Sequence, residues 1–416
     1  MASLIINGGR RLCGAVDVQG AKNSALPIMA ASLLVRGETV LQNCPDISDV
    51  DAAMRILRHL GCTAERIGST LYLDTGQMTG CRIPDGLMRE MRSSVVFLGA
   101  ILARTGEAVL SLPGGCELGP RPIDLHLSAL RALGMEIAES GGSIVCKARE
   151  PRGCRIDLAI PSVGATENSM LAAFSCVGET VITNAAREPE ICDLARYLRA
   201  AGAEICGEGT SVITVRRGRP SGRVLHTVIP DRIAAATYLS AVASAGGAGE
   251  IRNICPEHIR PVTDALERMG CRIRKEPTAV SILAEGRLCS AGTVTTAPYP
   301  GFPTDAQPPL MAACIKCCGM TVFVETMFEN RFRHAGELRR MGADIRKEGR
   351  VAIVTGVPML HGAPVEASDL RGGAALAVAA LGAEGKSEIT GLQHVLRGYE
   401  DIASDLRKLG AEIYER

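Results

Sequence analysis

The sequence predicts an α/β protein of two domains, built from six βαβαββ repeats with three repeats in each domain. Three observations lead to this fold class: the length of 416 residues, a motif that recurs six times, and a second motif that precedes each copy of the first. A chain of this length exceeds what one hydrophobic core usually holds. The first motif returns about every 70 residues, whereas solenoid repeats have periods of roughly 20 to 50 residues. A module larger than a solenoid repeat is therefore expected.

The first motif reads as the end of a helix, a glycine and a short strand. Its six copies are "LRHLGCTAERI", "LRALGMEIAES", "LRAAGAEICGE", "LERMGCRIRKE", "LRRMGADIRKE" and "LRKLGAEIYER", with the glycines Gly61, Gly134, Gly202, Gly270, Gly342 and Gly410. Glycine adopts the left-handed conformation that ends many helices. The six copies therefore predict six helix ends, each followed by a strand.

The second motif is a helix of small residues, a glycine-containing turn and a strand. Its copies are "AASLLVRGETVLQN", "LGAILARTGEAVLSL", "LAAFSCVGETVITN", "AVASAGGAGEIRN", "MAACIKCCGMTVFVE" and "AVAALGAEGKSEIT". The glycine is expected to supply the left-handed residue after the helix, and the β-branched residues that follow it favour a strand. Together the two motifs give the βαβαββ unit.

Three helical stretches are apolar nearly all round: "SALPIMAASLLV", "ENSMLAAFSCV" and "GGAALAVAALGA". A helix without a polar face is typically surrounded by other elements. We expect these helices inside the domains, which leaves the turns and strand ends for chemistry.

The composition disfavours several functional classes. Lys and Arg total 46 against 45 Asp and Glu, Trp is absent and aromatic residues make up 3% of the chain, so neither a basic excess nor stacking aromatics indicate nucleic-acid binding. No apolar run reaches the roughly 18 residues that a membrane span needs. The 16 cysteines lie in apolar stretches and are interpreted as reduced thiols in the core of a cytoplasmic protein.

Two short motifs are weak candidates for binding sites. "GAEGKS" at 382–387 resembles the end of a phosphate-binding P-loop, but the first glycine of that motif would fall on Ala380, and here a helix precedes and a strand follows. "CIKCC" places Cys314, Cys317 and Cys318 in what is predicted as one apolar helix, without a second pair of ligands at zinc spacing. Core packing is the preferred interpretation, and neither a metal nor a cofactor is predicted.

Basic residues recur beside glycine in predicted loops. They are Lys22 in "GAKNS", Arg121 in "GPRP", Arg331 in "ENRF", Arg371 in "DLRGG" and Arg397 in "LRGYE". For any one of them, solvated surface charge is the ordinary interpretation. Five at similar turns of different repeats instead predict a cleft for a dianionic ligand, since guanidinium groups pair with phosphate or carboxylate in a planar fork.

Several longer stretches resemble a known family. They are "GAKNSALPIMAASLL", "SLPGGCELGPRPIDLHLSALRALG", "PSVGATENSMLAA", "NAAREPEICDLARYLRAAGAEI", "PGFPTDAQ", "ETMFENRF" and "LRGYEDI". From about residue 3 to the C-terminus, the chain is similar to the UDP-N-acetylglucosamine 1-carboxyvinyltransferase family of enolpyruvyl transferases. The resemblance implies a two-domain inside-out α/β barrel. One domain would comprise 22–229, and the other 1–21 with 230–416, the chain crossing between them again near "HTVIPDR".

The resemblance also implies a reaction. The 3-hydroxyl of UDP-N-acetylglucosamine attacks phosphoenolpyruvate and phosphate then leaves, which opens peptidoglycan synthesis in the cytoplasm without a cofactor. The implied partners are these two small molecules, with no nucleic acid and no membrane, and no oligomeric state is predicted.

Two alternatives remain open at this point. The sister enzyme, 5-enolpyruvylshikimate-3-phosphate synthase, would show a G-N-[AS]-G-T-[TS]-x-R block where this chain has "MREMRSSVVFLGA", and it has no counterpart of Cys116. A catalytically silent paralogue that binds the sugar nucleotide has no reason to retain Cys116, Asp305, Lys22 and Arg397 together. The UDP-N-acetylglucosamine 1-carboxyvinyltransferase family is therefore preferred.

The resemblance assigns catalytic roles to four residues, Cys116, Asp305, Lys22 and Arg397. Cys116 would be the general acid that protonates the methylene carbon and the thiol that fosfomycin alkylates; the alternative is an inert buried thiol. Asp305 would be the general base for the sugar hydroxyl, although an Asp just before "PPLMAACI" could instead, or in addition, cap a helix.

The resemblance assigns the remaining residues to substrate binding. The expected contacts of phosphoenolpyruvate are Lys22, Asn23, Arg121, Arg331, Arg371 and Arg397. The expected contacts of UDP-N-acetylglucosamine are Arg92, Arg121, Pro122, Ile123, Asp124, Leu125, Ser162, Val163, Gly164, Asp305 and Met327. One departure concerns the diphosphate, because some relatives carry a lysine where this chain has Ile160.

Overall fold

The computed structural model describes residues 3–91, 93–111 and 123–416, with Ser140 described in its backbone alone. Their contacts divide the chain into two compact units. Of the described residues, those between Gly20 and Ile229 form the first unit, and those up to Gln19 together with Pro230–Arg416 form the second. We keep the predicted domains, 22–229 and 1–21 with 230–416, as a proposal that these units support. Four predicted site residues, Arg92, Cys116, Arg121 and Pro122, lie outside the described residues.

The described residues form short strands and helices that alternate along the chain. The strands are β1 Leu4–Asn7, β2 Leu12–Asp17, β3 Glu38–Gln42, β4 Thr63–Ile67, β5 Thr70–Asp74, β6 Arg82–Ile83, β7 Glu107–Ser111, β8 Glu136–Ser140, β9 Ser143–Lys147, β10 Arg155–Asp157, β11 Glu179–Thr183, β12 Glu204–Cys206, β13 Val212–Arg216, β14 Arg223–Thr227, β15 Gly247–Arg252, β16 Arg272–Glu276, β17 Ala279–Ala284, β18 Thr293–Thr295, β19 Met320–Val324, β20 Asp344–Glu348, β21 Val351–Thr355, β22 Pro364–Glu366, β23 Lys386–Thr390 and β24 Glu412–Glu415. The helices are α1 Lys22–Ala31, α2 Ser48–His59, α3 Asp85–Glu90, α4 Phe97–Thr105, α5 Asp124–Ala132, α6 Val163–Ala173, α7 Pro189–Ala200, α8 Arg232–Ala245, α9 Arg260–Arg268, α10 Gln307–Cys314, α11 Ala335–Arg340, α12 Leu370–Gly382, α13 Leu392–Val395 and α14 Ile402–Lys408.

Within the described ranges, the strands form six four-stranded sheets, three in each unit. The sheets of the first unit have the orders β14-β3-β5-β4, β6-β7-β9-β8 and β10-β11-β13-β12, and those of the second have the orders β22-β23-β1-β24, β16-β17-β15-β2 and β18-β19-β21-β20. Each sheet contains one parallel pair, and its other pairs are antiparallel. The predicted fold class of six βαβαββ repeats, three in each half, is confirmed.

Three sheets take a strand from a distant part of the chain. In the first unit, β14 pairs in parallel with β3, with Arg223 opposite Glu38. In the second unit, β2 pairs in parallel with β15, and β1 lies between β23 and β24. The other three sheets are contiguous in sequence, because a helix such as α6 or α10 crosses over between their parallel strands.

The glycines of the first motif behave as predicted. All six adopt a positive φ, from 84° at Gly134 to 110° at Gly202. The second motif differs in its first copy, where Arg36 and not the following glycine is left-handed, with φ 58°. Gly37 is required there for space, since a Cβ atom on it would lie 2.2 Å from the carbonyl oxygen of Gly222.

Each unit has its own hydrophobic core around central helices. In the second unit α8, α10 and α12 pack against one another, and in the first unit α4 packs against both α1 and α6. The three apolar helices predicted to be internal are α1, α6 and α12, and nearly all of their residues are buried. No helix in the described ranges is both long enough and apolar enough to cross a membrane.

The "CIKCC" prediction is partly wrong. Helix α10 ends at Cys314, so Cys317 and Cys318 lie beyond it, where the chain turns towards β19. Cys314 and Cys317 are buried in the core as expected, but Cys318 is exposed. The fifteen cysteines that the structure describes are all free thiols.

Candidate active site

The carboxylate of Asp305 lies between two buried guanidinium groups in the second unit. Its Oδ1 accepts a hydrogen bond from Nη2 of Arg331 at 2.5 Å, and its Oδ2 accepts from Nε and Nη2 of Arg371 at 3.3 and 3.2 Å. The two arginine side chains are 2% and 3% exposed, whereas that of Asp305 is 30% exposed. The three residues thus form an ionic cluster whose one accessible member is the carboxylate. We call them the Asp305 triad.

The alternative role of Asp305 as a helix cap is wrong. Helix α10 begins at Gln307, its N-cap is Ala306, and no side chain caps it. Asp305 lies one residue earlier, in the short 3₁₀ turn Thr304–Ala306, and its carboxylate is bound to the two arginines instead. Pro308 and Pro309 fit the first turn of α10 because the amide groups that they lack have no partner within the helix.

The charges of the triad set its protonation states. Burial alone would raise the pKa of Asp305, but the positive charges of Arg371 and Arg331 outweigh burial and hold it well below its usual range. Burial would lower the pKa of Arg371, and the negative charge of Asp305 more than reverses this effect. Asp305 is therefore a carboxylate at any physiological pH. It is also a weak base for as long as both arginines hold it.

A buried carboxylate that the sequence reasoning missed, Glu325, fixes the turn before Arg331. Its Oε1 accepts hydrogen bonds from the backbone amides of Met327 and Phe328 at 2.7 and 3.1 Å, and its Oε2 accepts from the hydroxyl of Thr304 at 2.9 Å. The backbone carbonyl of Thr304 in turn accepts from Arg331 at 2.9 and 3.1 Å. Glu325 follows directly after β19, and this position at a strand end was the available signal.

The predicted sugar contact Met327 lies in the same turn with 40% of its surface exposed. Arg331 is further held over the ring of Phe328, with its Cζ atom 5.5 Å from the ring centre. The turn between β19 and α11 therefore carries both an exposed apolar side chain and a buried cation.

Arg397 lies in the turn between α13 and α14 of the second unit and is half-buried. The side chain of Gln19 fixes this turn by donating to the carbonyl of Gly398 at 3.2 Å and accepting from the amide of Glu400 at 2.9 Å. Arg371 reaches the same turn, since its Nη1 donates to the hydroxyl oxygen of Tyr399 at 3.4 Å.

Lys22 and Asn23 begin helix α1 in the first unit. The ammonium group of Lys22 forms an ion pair with Asp49 at 2.6 Å, and the two side chains are 11% and 2% exposed. Asn23 is exposed. Asp49, in the first turn of α2, was not predicted as a site residue.

Six of the described residues that are predicted for the nucleotide lie at the N-terminal ends of α5 and α6 in the first unit. Asp124 begins α5, Ile123 precedes it and Leu125 follows it; Ser162 is the N-cap of α6, where its side chain accepts from the amide of Ala165 at 3.3 Å, and Val163 and Gly164 follow it. Ile160, at the position where some relatives have lysine, is 56% exposed. At this position the chain therefore exposes an apolar side chain in place of a cation.

His126 connects these two helix ends and was missed as a site residue. A Cβ atom on Gly164 would lie 2.8 Å from its Cε1, so the ring packs directly against the start of α6. Its Nδ1 lies 2.9 Å from Nδ2 of Asn168, whose Oδ1 accepts from the amide of Gly99 at 2.7 Å. Asn168 therefore donates to Nδ1, which assigns the proton of a neutral ring to Nε2. Burial lowers the pKa of His126 to about 4, so the ring is neutral at physiological pH.

Comparisons with known proteins agree with this architecture. The model of the EPSP synthase (3-phosphoshikimate 1-carboxyvinyltransferase) family matches residues 6–406. The chain is 47% identical over 413 residues to UDP-N-acetylglucosamine 1-carboxyvinyltransferase 2 of Caldanaerobacter subterraneus subsp. tengcongensis, covering 99% of both proteins. It is 49% identical over 415 residues to UDP-N-acetylglucosamine 1-carboxyvinyltransferase 1 of Symbiobacterium thermophilum, covering 98% of this chain and 94% of that protein.

A solved structure is also similar along the whole chain. The enolpyruvyl transferase NikO from Streptomyces tendae superposes with a TM-score of 0.89 at 28% identity, covering 100% of this chain and 98% of that chain. The family match spans nearly all of both units, and the full-length relatives have no large region that this chain lacks. The chain therefore belongs to the EPSP synthase (3-phosphoshikimate 1-carboxyvinyltransferase) family.

Proposed function

We propose that this protein is a UDP-N-acetylglucosamine 1-carboxyvinyltransferase. It would transfer the enolpyruvyl group of phosphoenolpyruvate to the 3-hydroxyl of UDP-N-acetylglucosamine with release of phosphate. Relatives of that name at 47% and 49% identity over nearly the full length support the assignment. The structural observation that carries it is the Asp305 triad, which holds one accessible carboxylate against two buried cations.

The triad can serve the addition step in two ways, by binding the anionic substrate and by accepting the proton of the sugar hydroxyl. A guanidinium group binds a carboxylate or phosphate in a forked geometry, so phosphoenolpyruvate can compete with Asp305 for Arg331 and Arg371. When these cations turn to the substrate, Asp305 loses the positive charges that hold its pKa low, and its basicity rises. Binding of the anion thereby converts a weakly basic carboxylate into a general base. The proton that Asp305 then accepts is that of the sugar 3-hydroxyl.

The bonds and protons of the reaction balance as follows. The 3-hydroxyl oxygen bonds to C2 of phosphoenolpyruvate, its proton passes to Asp305, and the methylene carbon takes a proton from the Cys116 thiol. In the second step the Cys116 thiolate takes a proton back from the resulting methyl group and the double bond re-forms. The C2–O bond to phosphate breaks with its electron pair going to the leaving phosphate, which takes the proton held by Asp305. Fixed cations stabilise the anionic intermediate and the leaving phosphate. We propose that Lys22, Arg121, Arg331, Arg371 and Arg397 provide them.

Cys116, Arg92, Arg121 and Pro122 enter this proposal from the resemblance alone, since they lie outside the described residues. The nucleotide contacts Ile123, Asp124, Leu125, Ser162, Val163 and Gly164 are proposed on the same basis, and their common location at the starts of α5 and α6 supports them. We also propose that the enzyme acts in the cytoplasm, at the opening step of peptidoglycan synthesis.

The proposal is tested by measuring phosphate release from phosphoenolpyruvate with purified protein. Release should require added UDP-N-acetylglucosamine, and shikimate 3-phosphate should not replace it. Cys116→Ala should abolish release or nearly so, whereas Cys116→Asp should retain part of it because a carboxylic acid also donates a proton. Release with shikimate 3-phosphate alone would favour the sister activity, and binding of the sugar nucleotide without release would favour a silent paralogue.

A further inference from the structure

Two buried side chains with incomplete hydrogen bonding lie close in sequence to the arginines of the Asp305 triad. His334 follows Arg331 by three residues and is 2% exposed, and Asp369 precedes Arg371 by two residues and is 4% exposed. Neither residue was predicted from the sequence.

Asp369 uses half of its carboxylate. Its Oδ1 accepts from the amides of Arg371 and Gly372 at 3.1 and 3.0 Å and so caps helix α12. Its Oδ2 is buried and has no hydrogen-bond partner. A buried acceptor without a donor is energetically unfavourable, so a nearby N–H group would stabilise this oxygen.

His334 can supply that group. Both of its ring nitrogens are buried, and neither has a partner that meets hydrogen-bond geometry. Burial, together with the positive charge of Arg331, lowers the pKa of His334 to about 4, although the negative charge of Asp369 and the backbone of Arg331 act in the opposite direction. The ring is therefore neutral at physiological pH and carries one N–H donor and one acceptor.

Gly372 shows how close the two side chains are. A Cβ atom built on it would lie 2.7 Å from Oδ2 of Asp369 and 3.1 Å from Cβ of His334. The first turn of α12 and the turn that carries Arg331 are therefore in direct contact through this glycine. This proximity lets the single N–H group of the neutral imidazole ring reach the free oxygen of Asp369 once the ring rotates towards it.

The contact matters because Asp305 is the group that both arginines share. Once an anionic substrate takes the guanidinium groups, Asp305 no longer connects the Arg331 turn to α12. We propose that His334 and Asp369 form a positioning pair, in which an imidazole N–H donates to Oδ2 of Asp369 and keeps the two guanidinium groups at a fixed spacing while phosphoenolpyruvate is bound. This inference rests on the proposed function, since it assigns the pair to the same anion site.

The experiment compares Michaelis constants for the two substrates in five variants and one control. His334→Leu removes the donor and should raise the KM for phosphoenolpyruvate about 10-fold, the effect of losing one hydrogen bond at a charged site. The KM for UDP-N-acetylglucosamine should stay within about twofold. His334→Asn and His334→Gln place an amide N–H near Nδ1 and Nε2, and one of them should restore the KM for phosphoenolpyruvate to within about threefold.

Asp369→Asn tests the partner without removing the helix cap, because asparagine caps helices as well as aspartate does. It should raise the KM for phosphoenolpyruvate. The double variant His334→Leu with Asp369→Asn should raise this KM no further than the more impaired of the two single variants does. His361→Leu, a change of an exposed histidine in the same unit, is the matched control and should leave both constants unchanged.

Equal effects on both substrates, or additive effects of the two single variants, would overturn the positioning pair while leaving the proposed function standing. Wild-type protein that releases no phosphate would instead remove the proposed function and this inference with it. Thermal unfolding of each variant separates loss of fold from loss of positioning, and Asp369→Asn keeps the test decisive even if His334→Leu does not fold.

Discussion

The two units each bury an ion pair at a predicted site, and the two pairs are built differently. In the first unit, the side chains of Lys22 and Asp49 are 11% and 2% exposed, and their formal charges cancel. In the second unit, one carboxylate with 30% exposure is shared by two arginines, which leaves the Asp305 triad with a formal charge of +1. The first pair is closed and neutral, while the triad is open and cationic. The triad is therefore the ion cluster in which an anionic substrate can replace the Asp305 carboxylate as the partner of the two arginines.

The closed pair should matter most for stability. Asp49→Ala removes the carboxylate that pairs with the buried ammonium group of Lys22. We expect this variant to lower the free energy of unfolding by about 3 to 5 kcal/mol. Asp85→Ala, which breaks the exposed pair with Arg89 in the same unit, is the control and should cost less than about 1 kcal/mol. Urea unfolding of both variants measures the difference. Equal costs would show that the Lys22–Asp49 pair is not the closed region described here.

The buried carboxylate beside the triad comes next. Glu325→Ala leaves the amides of Met327 and Phe328 and the hydroxyl of Thr304 without their acceptor, at an expected cost of about 3 kcal/mol. The exposed Glu329 of the same turn provides the control, since Glu329→Ala removes only a surface contact with Arg350 and should change stability by less than about 1 kcal/mol. Denaturant titrations in which the two variants coincide would contradict the assigned role of Glu325.

A smaller effect is expected where α12 meets the turn of Arg331. Gly372→Ala forces a Cβ atom to within 2.7 Å of Asp369 and 3.1 Å of His334, and it should cost about 1 to 3 kcal/mol. Gly336 in α11 has open space around the same position, so Gly336→Ala should be neutral or stabilise by up to about 1 kcal/mol. Calorimetric melting temperatures that move in the same direction for both variants would argue against the close contact.

The smallest effect is a pH dependence of stability. Because the pKa of folded Asp305 lies below its ordinary value of 3.8, its ionic bonds contribute in full above that value and are lost as the pH falls towards the folded pKa. The stability difference between wild type and Asp305→Asn should therefore be constant above about pH 5 and shrink below about pH 4. Unfolding curves collected from pH 3 to pH 7 check this, and a difference that changes between pH 5 and pH 7 would contradict the low pKa.

The repeat architecture could be predicted from the sequence because its signal is local. A positive φ is required at Gly61, Gly134 and their four counterparts, and that requirement selects glycine each time. The parallel pairings of β14 with β3 and of β2 with β15 could not be predicted in the same way. The parallel pairing of Leu12 with Gly247, or of Arg223 with Glu38, joins strands that lie far apart in the chain and leave no local pattern.

The site was predictable to the extent that charge in loops reports it. Arg331 and Arg371 were singled out as loop cations and Asp305 by the family resemblance, and the structure brings these three together. Glu325, His334 and Asp369 are single buried polar residues, and their importance depends on what packs around them. Glu325 had a signal in its position at a strand end, and Asp369 had one because an Asp before a helix of small residues is a typical N-cap, whereas His334 had none.

The central claim is that the accessible carboxylate of the Asp305 triad is the base for the sugar hydroxyl. Its most direct test is the initial rate of phosphate release by Asp305→Asn and wild type, with binding of UDP-N-acetylglucosamine measured by calorimetry on both proteins. The account predicts that the variant folds and binds the sugar nucleotide but releases phosphate at least about 100-fold more slowly. A rate within about threefold of wild type would show that Asp305 is not the base.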